Sequence, residues 1–60
     1  MEPGKEYEVE ISQMAQNGEG LAMVKGFWIF VPNVKVGDKV MVRVTTVDSV
    51  SADAAVISRA

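Results

Sequence analysis

Three of the four aromatic side chains in this 60-residue chain, Phe27, Trp28 and Phe30, fall within four positions, and Lys25 stands two residues ahead of them. Rings two positions apart on a strand share a face, and an exposed pair of rings is a surface on which nucleic-acid bases stack. Each stacked base is worth about 1–3 kcal/mol and needs no sequence-specific hydrogen bond. Lys25, Lys35, Lys39 and Arg43 are the cations that could meet phosphates beside such a platform. Gln13, Gln16 and Asn17 carry amides that could bond base edges or 2′-hydroxyls. Every one of these residues also has a plainer use: the rings could close the end of a small core, the cations could be solvated surface, and Asn17 suits a turn.

Other chemistry is largely excluded. The chain has no cysteine and no histidine, so disulfides, the usual zinc ligand sets and nucleophile–histidine pairs are all absent. An enzyme would need carboxylates or a lysine in an enclosed pocket, and a chain this short has little room for one. The expectation is a non-enzymatic protein with no cofactor, no metal and no small-molecule substrate. The longest apolar run, Phe27 to Val31, is far short of the roughly 20 residues of a membrane span, and the charged N-terminus lacks the apolar stretch of a signal peptide. This reads as a cytoplasmic protein, complete from Met1, with no membrane partner.

The net charge of −2 speaks against phosphate binding until its distribution is considered. Residues 1–20 carry −4, with Glu2, Glu6, Glu8, Glu10 and Glu19 against Lys5, whereas residues 21–45 carry +3, with Lys25, Lys35, Lys39 and Arg43 against Asp38. A basic segment folded onto one face could give a local positive patch on an acidic protein. Ordinary solvated charge explains the same pattern.

These residues need elements to hold them. Tyr7, Val9 and Ile11 alternate with Glu6, Glu8 and Glu10, the period of a half-buried strand. Gln16 to Gly20 interrupts with turn residues. Leu21 to Val24 predicts a second strand, Lys25-Gly26 a tight hairpin, and Phe27 to Val31 a third strand that Pro32 ends. Val40, Val42 and Val44 alternate with Met41, Arg43 and Thr45 in a fourth strand, and Ala54 and Val56 supply the inner face of a fifth from about Ala52 to Ser58. No segment keeps a helical period. Short strands at intervals of roughly 8 to 12 residues indicate an all-β sandwich or barrel, and closing five antiparallel strands into a barrel removes exposed edges. The whole chain, 1–60, is one domain, with the barrel at about 5–58. Alternation exposes either Trp28 and Phe30 or Phe27 and Ile29; Ile29 and Val31 extend the β-branched core, which favours Trp28 and Phe30 as the outward pair.

The order Asn17-Gly18-Glu19-Gly20-Leu21-Ala22-Met23-Val24-Lys25-Gly26, then Ile29-Phe30-Val31-Pro32, then Val36-Gly37-Asp38-Lys39-Val40 and Val42-Arg43-Val44 resembles the TRAM domain over nearly the whole chain. The resemblance implies an OB-like barrel that binds RNA, a module often appended to RNA-modifying methyltransferases and methylthiotransferases. A TRAM domain with no enzyme attached is similar to small archaeal RNA-binding proteins that act as RNA chaperones in the cold. Two positions depart from the family's habit: Trp28 stands where a small or polar residue is usual, and Asn33 where glycine is commoner. The implied protein is a monomeric chaperone that captures single-stranded regions of tRNA or other RNA on Trp28 and Phe30, with Phe27 at the barrel rim. The competing expectation is a β-barrel adaptor that turns the same rings toward a protein, since the acidic first strand would repel RNA.

Overall fold

The alternation in the first strand decides its orientation. In β1 (Glu6–Glu10) Val9 is buried while the three glutamates are exposed. The strand therefore lays one apolar face on the core and one acidic face on the surface. Its partner is β5 (Lys39–Val47), where Val40, Val42 and Val44 are almost wholly buried and Lys39 and Arg43 point out. The antiparallel register sets Tyr7 opposite Val42 and Val9 opposite Val40. The structure, a computed structural model, describes residues 1–59. Its remaining strands are β2 (Gln13–Met14), β3 (Gly20–Val24), β4 (Phe27–Val31) and β6 (Ser51–Arg59).

The six strands form one sheet in the order β1-β5-β6-β4-β3-β2. The expected count of five is corrected to six because the first stretch of chain changes partner midway. The Ile11 N–H donates to the Asp38 carbonyl at 2.9 Å and the Ile11 carbonyl accepts from Gly37 at 2.8 Å, both on the β5 side. One residue later the Ser12 N–H donates to the Leu21 carbonyl at 2.9 Å, on the β3 side. β1 and β2 are thus two halves of one bent strand, each hydrogen-bonded to a different end of the sheet, and the sheet curls back on itself. Taken as one, they give the strand order of an OB barrel. Uniformly antiparallel pairing is also corrected: β4 and β6 run parallel, with Trp28, Ile29 and Phe30 beside Ser51, Ala52 and Asp53. The long connection from Pro32 to Asp38, followed by the β5–β6 hairpin, brings the last strand back alongside the third.

The core is aliphatic throughout: Val9, Ile11, Ala22, Ile29, Val31, Val34, Val40, Val42, Val44, Ala52 and Ala54. Burying each of the larger side chains stabilises the fold by about 1.5–3 kcal/mol. Ile29 sits opposite Ala52 and Val44 opposite Ala54, so β6 fills the space left by its branched neighbours with methyl groups. Gly20 is required by contact rather than by backbone angle. A β-carbon built there would lie 2.3 Å from Val34 Cγ2 and 2.9 Å from Ile11 Cγ2, so the bend at Ile11 can pack against β3 only if position 20 has no side chain.

The β3–β4 turn is the predicted Lys25-Gly26 hairpin. Both residues have positive φ, 51° and 83°, the combination a type I′ turn demands, and its twist matches that of the flanking strands. Asn33, φ 64°, adopts the left-handed conformation that Asn tolerates better than most side chains. That angle accounts for a glycine or asparagine at this position.

Candidate nucleic-acid interface

The register of β4 separates its rings by face. Ile29 and Val31 are fully buried, while Trp28, 37% exposed, and the half-buried Phe30 point outward. Phe27 instead points inward at the rim, packed against the core with Val24 and Tyr7. On the outer surface Leu21 lies opposite Phe30, and Met23 opposite Trp28. Gln13 flanks Leu21 from β2. Ser51 and Asp53 flank Trp28 and Phe30 from β6. Two rows result: Gln13, Leu21, Phe30 and Asp53 across the sheet, and Met23, Trp28 and Ser51 beside them.

Turns frame this face at both ends. The backbone N–H of Trp28 donates to the Val50 carbonyl at 3.1 Å, which holds the β5–β6 turn against the platform. Val50 itself is 67% exposed and extends the apolar area, as does Met23 at 51%. At the opposite corner Asn17 is engaged within its own turn. Its Oδ1 accepts from the Glu19 N–H and its Nδ2 donates to Glu19 Oε1, each at 3.1 Å. These bonds order the loop between β2 and β3.

The cations are not gathered around the rings. Lys25, at the hairpin tip, lies with Nζ 5.8 Å from the centroid of the Tyr7 ring, a cation–π distance that places it over the barrel rim. Arg43 is two strands away from β4 and grips Glu6 of β1, Nη2 to Oε2 at 2.7 Å and Nε at 3.2 Å. Lys39 stands opposite Glu10 in the β1–β5 ladder and lines an open depression with Glu8, Val9 and Glu10. Lys35 lies in the connection before β5, its backbone N–H donating to Asp38 Oδ2 at 2.9 Å. Arg59, which no local pattern singles out, ties the end of β6 to the same connection through Asp38 at 3.4 Å and the Asn33 carbonyl.

Leu21, Met23, Ser51, Val50 and Asp53 complete the platform and were not legible as site residues. Leu21 and Met23 could have been found by continuing the alternation of β3 outward. Ser51 and Asp53 could not, because only the parallel pairing of β4 with β6 brings them beside the rings.

A curled, all-strand OB-like barrel with two outward rings on β4 beside the apolar outer face of β3 has the layout of a nucleic-acid-binding module, in which ligands cross this face between the flanking loops. The chain belongs to the TRAM domain family, whose model matches residues 1–57. That family binds nucleic acid and is not itself catalytic. The solution structure of a conserved protein from Methanococcus maripaludis superimposes with a TM-score of 0.86 at 44% identity, over 95% of this chain and 81% of that one. Among sequence relatives, translation initiation factor 2 subunit beta of Thermoplasma volcanium is 48% identical over 98% of this chain. A ribosomal RNA large subunit methyltransferase E of Methanosarcina barkeri is 36% identical over 73% of it. The chain spans 28% of that initiation factor's length and 17% of that methyltransferase's. No helix among the described residues is long and apolar enough to cross a membrane.

Proposed function

We propose that this chain binds single-stranded stretches of RNA, tRNA among them, on the outer face of β3 and β4, and acts as an RNA chaperone. The observation that carries the reading is the outward placement of Trp28 and Phe30, side by side on the ligand face of an OB-like barrel. Two stacked bases are worth about 1–3 kcal/mol each. Holding unpaired strands shifts a misfolded RNA toward its open form by mass action, without nucleotide hydrolysis. Lys25 is the cation next in chain to the platform, and Gln13 and the Asn17 loop border it. Lys35, Lys39 and Arg43 meet only a backbone that continues around the barrel. Two of them already face glutamates, so phosphate contacts are few and affinity at any one site is modest. RNA-modifying relatives such as the methyltransferase support RNA as the ligand.

The test uses Trp28, the only tryptophan. Titration with a short unstructured RNA quenches its emission, and the affinity falls with salt at a slope of about −0.7 to −1.4, one or two phosphates for a single strand. Unchanged emission together with no binding in an independent assay at low salt overturns the reading. A second reading draws on the apolar breadth that Met23 and Val50 add: the same face docks a protein. Binding of that kind is nearly indifferent to salt.

A further inference from the structure

The two outward rings have unlike neighbours. Beside Trp28 stands Ser51, a hydroxyl that both donates and accepts; beside Phe30 stands Asp53, a carboxylate that only accepts. Paired residues of adjacent strands lie about 4.8 Å apart and point to the same side, and Asp53 is exposed on the side of the half-buried Phe30 rather than buried with its neighbours Ala52 and Ala54. The Asp53 main chain is fixed: its carbonyl accepts from Thr45 Oγ1 at 3.1 Å. Its carboxylate forms no ion pair among the described residues. Across the same row, beyond Leu21, the Gln13 amide closes the other side.

On the basis of the RNA reading above, we infer that Asp53 makes the Phe30 position selective for guanine, while the Trp28 position accepts any base. A base stacked on Phe30 presents its edge to that carboxylate. Guanine alone offers two adjacent donors, N1–H and the 2-amino group, which match two carboxylate oxygens as a charge-assisted pair. Adenine and cytosine offer one amino group beside a ring nitrogen that accepts, which the carboxylate repels. Uracil offers a single N–H between two carbonyls. The same negative charge keeps phosphates off this row, so the strand lies with its bases toward the sheet and its backbone toward the Lys25 side. Sequence tolerance then holds at one stacking position and is narrowed at the other.

The experiment titrates the protein with short oligouridylates carrying one central guanine, inosine, adenine or no substitution, read by Trp28 emission and by anisotropy of labelled RNA. The guanine oligomer is expected to bind at least about tenfold tighter than the uridine one, with inosine, which lacks the 2-amino donor, in between. Asp53→Asn, on an exposed position and checked for folding by circular dichroism, is expected to bring guanine to within about twofold of uridine. Equal affinity for all four oligomers, or a guanine preference that survives Asp53→Asn, overturns the inference and leaves the RNA reading intact. Failure of every oligomer to bind overturns both.

Discussion

The outer surface of this one sheet carries two unlike faces. Across β1 and β5 it is a ladder of opposite charges, Glu6 against Arg43 and Glu10 against Lys39, with Glu8 opposite Met41 between them. Across β3 and β4 it carries no charge at all: Leu21, Met23, Trp28 and Phe30. Both faces are built on the same core with the same alternation, so the difference is not required by folding. Charge on β1 is what a small sheet uses to discourage pairing with other chains. Exposed Trp and Met on β3 and β4 bring a solubility cost with no benefit to the core, which is why that face, and not the basic half of the sequence, is assigned to the ligand. The positive segment of the chain exists, but folding lays two of its four cations alongside the acidic strand, where they offset two of its three glutamates.

Adjacent residues of β4 give the largest test of the contrast. Ile29→Ala opens a cavity in the core and is expected to cost about 2–5 kcal/mol of stability, measured by chemical denaturation. Trp28→Ala, one position along, is expected to leave stability within about 1 kcal/mol and to remove about 1–3 kcal/mol of RNA affinity, measured by anisotropy with labelled RNA. If Trp28→Ala instead unfolds the protein, the rings belong to the core and the contrast collapses. The next effect is on Gly20. Gly20→Ala drives a methyl group into Val34 and Ile11, and a loss of about 1–3 kcal/mol is expected from calorimetry; a neutral result would mean that the bend at Ile11 can move aside.

Much of this architecture could be read from residue order. The period of two in Glu6–Ile11 and Val40–Val44, the Lys25-Gly26 turn and the β-branched run Ile29-x-Val31 are local signals, and the structure places each as the pattern implies. The bend at Ile11–Ser12 was not legible, because Ser12 and Gln13 carry no alternation and β2 is defined only by its partner on β3. The parallel pairing of β4 with β6 was equally hidden, since a strand's own sequence says which face is apolar but not which strand lies beside it. For that reason the cluster of rings is legible in the sequence and the polar residues that lie beside it on β6 are not. The cations are legible as basic residues, yet Glu6 and Glu10, which stand opposite Arg43 and Lys39, are 37 and 29 positions away in sequence, beyond any local pattern.

Smaller effects separate the two faces by charge. Glu6→Gln releases Arg43 from its partner, and the salt slope of RNA binding is expected to steepen by up to about 0.7 if the freed guanidinium reaches a phosphate; an unchanged slope would place the backbone beyond the reach of β5. Arg43→Ala is expected to change stability by only about 0–1 kcal/mol, as an exposed pair should, and to leave RNA affinity nearly unaltered. A large loss of affinity in that variant would move the interface to the charged face.

The most direct measurement maps the bound RNA onto the sheet by amide and side-chain chemical-shift changes in two-dimensional NMR, using a short unstructured oligonucleotide. The changes are expected to concentrate on Leu21, Met23, Trp28, Phe30, Ser51 and Asp53, with the Trp28 indole most affected and Glu6 to Glu10 unmoved. Changes centred instead on Lys39, Arg43 and their β1 partners would contradict the assignment of the aromatic face as the ligand site.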